Sequence, residues 1–171
     1  MSEAVLISIR PEWCDKIVIE EKTIEVRKTR PKLKTPFKCY IYCTLPKYPD
    51  EDFIVFGAGT ENARAFSAGG MVIGEFICDK IITVDCDSVA PFDRETKEYI
   101  DGETCMSRED LWEYSAGRCA YGWYISNLKI YDTPKPLSDF WVEGNQTYDC
   151  PQLTPLKRPP QSWCYVEELM I

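Results

Sequence analysis

Residues 22–27 read Lys-Thr-Ile-Glu-Val-Arg and form the most informative stretch of the chain. Two β-branched apolar residues alternate there with polar ones, a period of two that is typical of a β-strand with one apolar face. The polar face carries Thr23, Glu25 and Arg27. Burying those charges without partners would cost several kcal/mol, roughly, so this face must be wet or internally paired.

The residues before this strand predict a second strand and a helix. Residues 4–9 are almost wholly apolar and predict the first strand. Pro11 then suits the first position of a helix that ends at about Val18. Trp13 and Ile17 are four residues apart, so they share the buried face of this helix.

The residues after the hexapeptide predict further short strands and a second helix. Residues 28–37 hold two prolines and predict a loop, and Ser107 resembles the start of a capping box that opens a helix. Strands are predicted at 38–44, 71–84 (one bent strand or two), 122–131 and 162–167, with a loop-rich insertion at about 45–70. We therefore expect one α+β domain over residues 1–171, built as a small, mostly antiparallel β-barrel decorated by two or more helices.

Composition narrows the class of protein. The 171 residues are 44% hydrophobic, which is too apolar for a disordered chain. No apolar run approaches the roughly 20 residues that span a bilayer, and the N-terminus lacks a basic secretory signal, so we expect a cytoplasmic protein without membrane contact. The chain has nine Cys, no His and no Cys-x-x-Cys. We therefore expect free thiols, no metal and no cofactor.

The net charge of −8 conceals a strong asymmetry along the chain. Residues 1–48 carry a balance of +4, and residues 49–171 carry −12. Seven basic residues and one acid, Glu25, lie between Lys22 and Lys38. Local fields steer anions more than the total charge does. This segment is therefore either a solvated basic loop or an edge that binds an anion.

The order of these features resembles the ASCH domain family of the PUA-like group. The resemblance rests on the first strand and helix, on Lys22-Thr23-x-Glu25-x-Arg27 and on Gly74-Glu75 in a later strand. The tail around 158–168 is similar to the ending of ASCH proteins from phages and bacteria. One departure is Glu20, which occupies the position of the family's turn glycine. Glutamate is a poor substitute if that turn requires a positive φ.

The resemblance implies a PUA-like barrel with a cleft beside the first helix, and it implies RNA or DNA binding. Some small ASCH proteins resemble amidohydrolases that act on acylated cytidines through a lysine, a threonine and a glutamate. Carried over, the lysine is Lys22, the threonine position holds Glu25, which does not match, and the glutamate falls near Glu103. Whether this chain is an enzyme therefore stays open.

The chemistry of the segment fits a nucleotide-like ligand. Lys22 and Arg27 suit phosphate, and Glu25 can accept from an exocyclic amine. The candidate ligand-binding residues are Lys22, Thr23, Glu25, Arg27, Lys28 and Arg30. The leading hypothesis is a module that binds RNA, another single-stranded nucleic acid or a modified nucleoside. The alternative is an amidohydrolase with Lys22, Glu25 and possibly Glu103 as catalytic groups, and a purely structural ion pair between Glu25 and Arg27 or Lys22 also remains open.

Overall fold

The computed structural model describes residues 3–45, 53–56, 64–84, 102–144 and 152–169. The strands are β1 (Glu3–Ile9), β2 (Ile24–Arg27), β3 (Phe37–Cys43), β4 (Phe53–Phe56), β5 (Arg64–Ser67), β6 (Met71–Cys78), β7 (Ile81–Val84), β8 (Ala120–Tyr124), β9 (Ser126–Pro136), β10 (Trp141–Glu143), β11 (Leu153–Pro155) and β12 (Trp163–Glu167). The α-helices are α1 (Pro11–Val18) and α2 (Arg108–Ser115), and Leu137–Asp139 form a 3₁₀ turn. No helix in the described part of the chain is long and apolar enough to cross a membrane.

A five-stranded sheet forms the centre of the molecule, with the order β12-β1-β3-β6-β9. β1 pairs in parallel with β3, because α1 and β2 lie between them in the chain, and the other pairs in this sheet are antiparallel. Gly74 of β6 lies so close to β9 that a Cβ would sit 2.5 Å from the Lys129 carbonyl oxygen. The β6–β9 register shifts between Val72 and Gly74, as expected for a bulge at a glycine.

A second sheet holds the informative hexapeptide. Its order is β2-β8-β7, and both pairs are antiparallel. The α+β class with mostly antiparallel strands is confirmed, but the closed barrel is not found. Among the described strands no ladder joins this sheet to the five-stranded one. The chain passes from β8 to β9 at Ile125, and a left-handed Asn127 (φ 50°) follows, so the ladder is interrupted where a barrel would have to continue.

Apolar side chains pack on both faces of the five-stranded sheet. The first core cluster joins alternate residues of β1 and β3 to Cys14 and Ile17 of α1 and to Trp123 of β8. The second cluster lies on the other face and includes Tyr40, Tyr131 and buried Phe140. Alternation along β1 and β3 is what supplies residues to both clusters.

Helix α1 runs from Pro11 to Val18 as predicted. Ile17 is fully buried, and Trp13 is half-buried against the first core cluster. After the helix Glu20 adopts a left-handed conformation with φ 60°, so the turn has the geometry that favours glycine although glutamate occupies it. This turn delivers Lys22 to the start of β2.

Several predicted boundaries change in the structure. Residues 71–84 are two strands, β6 and β7, and 122–131 is split between β8 and β9. Part of the insertion at 45–70 is an antiparallel pair, β4 and β5, and the rest of it lies outside the described residues apart from its two ends. β10 and β11 form a further antiparallel pair that the proline-rich sequence around them did not predict.

Candidate functional site

Lys22 enters the site from the turn after α1 and is only 2% exposed. Its Nζ donates a hydrogen bond to the Thr104 carbonyl oxygen at 2.5 Å. The same atom lies 3.5 Å from Glu25 Oε2 and 5.0 Å from the centre of the Trp13 ring. The ammonium therefore has a carboxylate, a carbonyl and an aromatic face as its neighbours.

Glu25 and Arg27 project from the same face of β2, and both are buried, with 5% and 8% exposed. Arg27 Nη2 lies 2.9 Å from Glu25 Oε1 and donates to the Ser8 carbonyl oxygen at 2.6 Å. Lys22, Glu25 and Arg27 form what we call the cleft network. Two cations and one carboxylate leave it with a formal charge of +1.

The cleft network is incompletely hydrogen-bonded. Glu25 Oε2 and Arg27 Nε are buried and have no hydrogen-bond partner. The same holds for Oγ1 of Thr23, the residue before β2, and for the indole nitrogen of Trp123, which lies opposite Glu25 on β8. Buried polar atoms are usually satisfied, so this strand face departs from ordinary packing.

The cleft network forms part of the wall of an open cleft of about 1180 Å³. α1, the end of β1, β2, α2 and a loop before β12 all contribute to it. The polar and aromatic lining residues are Ser8, Arg10, Trp13, Lys22, Glu25, Arg27, Lys28, Thr29, Tyr42, Thr44, Asp110, Glu113, Tyr114, Gln161 and Ser162. This volume exceeds the range of about 300–1,000 Å³ that is usual for small-molecule sites, and it is large enough for a nucleotide.

The structure brings some of the predicted site residues together and separates others. Lys22, Glu25, Arg27 and Lys28 line the cleft. Thr23 instead lines a smaller pocket of about 170 Å³ beside the α1–β2 turn. The Arg30 guanidinium lies over the Tyr121 ring at 5.6 Å.

The Glu103 side chain was considered as a possible catalytic group, but the contact that Glu103 makes near the site is through its main chain. Its carbonyl oxygen accepts from the Thr23 backbone N–H at 2.9 Å, and the Glu103 side chain does not line the cleft. The next residue, Thr104, provides the carbonyl that holds Lys22. The backbone carbonyls of Glu103 and Thr104 therefore hold Thr23 and Lys22 just before β2.

Sequence reasoning missed the wall opposite β2. Asp110, Glu113 and Tyr114 come from α2 and line the cleft. The capping box is real, since Ser107 and Asp110 bond reciprocally, so the sequence did reveal the helix. Its position against β2 depends on tertiary packing over 80 residues of chain, which a local pattern cannot predict.

Burial changes the proton affinity of groups in the cleft. Burial lowers the pKa of Lys22, and the nearby Glu25 carboxylate offsets part of this decrease. Burial also raises the pKa of the Tyr114 hydroxyl. The described residues contain no group of three or more Cys, Asp or Glu side chains arranged to hold a metal ion. The cleft offers the Lys22 amine, the Arg27 guanidinium, the Tyr114 hydroxyl and the carboxylates of Glu25, Asp110 and Glu113.

Comparison with solved structures identifies the fold. The ASCH protein of Zymomonas mobilis superposes with a TM-score of 0.60 at 19% sequence identity, covering 96% of this chain and 88% of that one. The chain has the ASCH fold. Two point mutants of the same Zymomonas protein match at 18% identity with TM-scores of 0.60 and 0.58, covering 96% of this chain and 91% and 89% of theirs. No family model matches this sequence, and no curated protein matches it either.

The ASCH fold confirms the resemblance drawn from the hexapeptide, the preceding helix and the tail. At this level of identity it establishes the fold alone. Glu20 adopts the left-handed conformation that glycine favours, so the turn after α1 keeps this geometry although glutamate stands at the glycine position. Lys22 therefore reaches the cleft despite the departure from the family pattern.

Proposed function

We propose that this ASCH domain binds a nucleotide unit, free or within RNA, in the cleft beside α1. The observation that carries the proposal is the buried cleft network at the wall of an open cleft. Arg10, Lys22, Arg27 and Lys28 bring four cations to the cleft, and Glu25, Asp110 and Glu113 bring three carboxylates, so its lining keeps a formal charge of +1. The two cations of the cleft network are buried, so water screens them less than it screens surface charges, and they attract a phosphate group that enters the cleft.

A purely structural ion network explains these features less well. A buried ion pair stabilises a fold little more than apolar packing would. It offsets the cost of desolvation only when all its polar atoms are hydrogen-bonded. Here Arg27 Nε has no hydrogen-bond partner, and Glu25 Oε2 has none either, although it forms an ion pair with Lys22 Nζ at 3.5 Å. Unsatisfied buried atoms beside an open cleft are typical of a site that is completed by a ligand group or an ordered water.

The test is calorimetric titration with cytidine 5′-monophosphate, adenosine 5′-monophosphate and uncharged cytidine. Both nucleotides should bind, and cytidine should bind at least about tenfold more weakly, because it lacks the charge-assisted contacts of the phosphate. Lys28→Gln should weaken nucleotide binding and reduce its salt dependence. Equal affinity for cytidine and its monophosphate, or no saturable binding of either nucleotide, would sink the proposal.

A second candidate function is hydrolysis of an acylated cytidine. Lys22 favours it, because burial lowers the pKa of its amine and a carboxylate lies 3.5 Å away. In this reaction water adds to the acyl carbon, the bond to the exocyclic nitrogen breaks, that nitrogen takes a proton and the acyl group leaves as a carboxylate. The lysine and Glu25 are the two groups able to exchange protons with the water and the leaving nitrogen.

Incubation with N4-acetylcytidine distinguishes the two candidates. Hydrolysis predicts that chromatography detects cytidine with wild-type protein and not with Lys22→Met. Lys38→Met is the matched control, because Lys38 is also paired with a glutamate but does not line the cleft. Absence of turnover by wild-type protein that still binds nucleotides leaves binding as the function.

A further inference from the structure

The basic loop after β2, residues 28–34, differs from the cleft network in how its charges are paired. Arg10, Lys16, Lys22, Arg27 and Lys38 all lie within 4 Å of a carboxylate. Four further cations lie between Arg27 and Lys38 in the chain, and none of them forms such an ion pair within the described residues: Lys28, Arg30, Lys32 and Lys34. All four are exposed. In a chain of net charge −8, four adjacent unpaired cations are a concentrated anion-binding surface.

The loop is held in place from the protein side. Pro31 is buried, and Leu33 packs against the first core cluster. The Lys32 backbone N–H donates to the Tyr165 hydroxyl at 2.7 Å. The Trp163 indole donates to Thr29 Oγ1 at 3.0 Å. Inward residues therefore alternate with the exposed cations, and the loop backbone is ordered before any ligand arrives.

Two of the cations are also positioned by aromatic rings. The Arg30 guanidinium lies over Tyr121 at 5.6 Å, and Lys28 Nζ lies over Tyr114 at 5.1 Å. A guanidinium above a ring keeps its in-plane N–H groups free to donate to phosphate. Fixed cations lose less conformational entropy on binding than mobile ones.

The surface is continuous with the cleft. Lys28 and Thr29 line the cleft, and the exposed cations Arg30, Lys32 and Lys34 follow them directly in the chain. We propose that Lys28, Arg30, Lys32 and Lys34 carry the phosphates that flank the nucleotide in the cleft, so that the ligand is a single-stranded polynucleotide several units long. This inference rests on the proposed function, and it adds that a free nucleotide occupies only part of the site.

The proposal makes length and salt the decisive variables. A mononucleotide reaches the cleft and Lys28, whereas an oligonucleotide also reaches Lys32 and Lys34. Each phosphate neutralised on a single strand contributes about 0.7 to the slope of log affinity against log salt. Two contacts therefore contribute about 1.4, an amount that a salt series resolves.

The experiment measures binding of cytidine 5′-monophosphate and of a 12-residue oligocytidylate RNA to wild type and Lys32→Gln/Lys34→Gln, in a salt series. The double variant should bind the mononucleotide as wild type does. Its affinity for the RNA should fall roughly tenfold and its salt slope by about 1.4. Lys80→Gln/Lys129→Gln removes two exposed lysines elsewhere and should change neither.

Each failure has its own signature. Wild-type binding of the RNA no tighter than that of the mononucleotide, or an unchanged salt slope in the loop variant, overturns the inference and leaves the proposed function standing. RNA binding that depends on Lys32 and Lys34 without any mononucleotide binding overturns the role of the cleft. A polyglutamate peptide that binds as tightly as the RNA and with the same lysine dependence shows that the loop takes acidic protein, and also overturns the inference.

Discussion

Two ionic networks in this molecule have similar members and different surroundings. The cleft network of Lys22, Glu25 and Arg27 is buried. The second, which we call the sheet network, consists of Lys38, Glu75, Tyr131 and Glu168. Tyr131 donates to Glu75 at 2.6 Å, and Lys38 lies 3.7 Å from Glu75 and 3.0 Å from Glu168. It joins three neighbouring strands to the chain after β12, away from the cleft.

The two networks differ in how well their charges are satisfied. No atom of the sheet network is among the unpartnered buried atoms of the described residues, whereas the cleft network contains two. Burial lowers the pKa of Lys38 less than its two carboxylates raise it, so the net change is upward. For Lys22 the effect of burial exceeds that of Glu25, and the net change is downward. The two networks therefore differ in hydrogen bonding at buried atoms, and this difference is what the proposed ligand site in the cleft relies on.

The largest expected effect is on folding and comes from breaking the cleft network. Arg27→Ala leaves the Glu25 carboxylate buried without its nearest cation, so the free energy of unfolding should fall by about 3–5 kcal/mol. Arg30→Ala removes an exposed cation and should change it by less than about 0.5 kcal/mol. Urea denaturation measures both. Equal stability of the two variants would contradict the burial of the Glu25–Arg27 pair.

A smaller loss of stability should come from the sheet network without any loss of binding. Tyr131→Phe removes a hydrogen bond to a charged carboxylate, so the free energy of unfolding should fall by about 1.5–3 kcal/mol. Affinity for cytidine 5′-monophosphate should stay within about twofold of wild type, a difference of under 0.5 kcal/mol. Urea denaturation and calorimetry on the same sample test both statements. A parallel loss of affinity would show that the two networks are coupled.

The pH dependence of stability should have opposite signs in the two networks. The folded pKa of Lys22 lies below its ordinary value of 10.5, so between the two the unfolded chain binds more protons. Wild type should therefore gain stability relative to Lys22→Met as pH rises towards 10.5. For Lys38 the folded pKa lies above 10.5, and wild type should lose stability relative to Lys38→Met as pH rises above that value. Thermal or urea unfolding between pH 8 and about 11 gives both differences. The same sign for both lysines would contradict the contrast.

The smallest effect concerns the turn that delivers Lys22. Glu20→Gly removes the cost of a left-handed side chain, and the larger entropy of glycine in the unfolded chain offsets part of that gain. The free energy of unfolding should rise by about 0.5–1 kcal/mol. Glu20→Ala retains the Cβ and should give no gain. A glycine variant less stable than the alanine variant would show that the left-handed turn is not strained.

Local patterns predicted the elements of this fold better than their arrangement. Pro11 and the apolar spacing predicted α1 with its bounds, and the alternation of residues 23–27 predicted β2, which begins one residue later. A period of two shows which residues share one side of a strand, but it does not show which other parts of the protein lie against that side. Thr23 therefore ended at the smaller pocket, although it was expected to share a site with Glu25 and Arg27.

Local patterns wrongly predicted a closed barrel, and they did not predict the full lining of the cleft, for the same reason. A barrel requires ladders between strands that are distant in sequence. The left-handed conformation of Asn127, near the β8–β9 junction, was not predicted from the sequence. The sheet network was also missed, because Glu75 and Tyr131 become neighbours only through the β6–β9 pairing. Only the cluster of basic residues from Lys22 onward pointed from the sequence alone to an anion site.

The central claim is that the cleft network binds a nucleotide and the sheet network does not. Calorimetric titration of Lys22→Met and Lys38→Met with cytidine 5′-monophosphate tests it most directly, because both variants remove a lysine that is paired with a glutamate. Circular dichroism first establishes that both variants are folded at the titration temperature. Lys22→Met should bind at least about tenfold more weakly than wild type, and Lys38→Met should bind within about twofold of it. Equal affinities of the two variants, or a larger loss in Lys38→Met, would contradict the account.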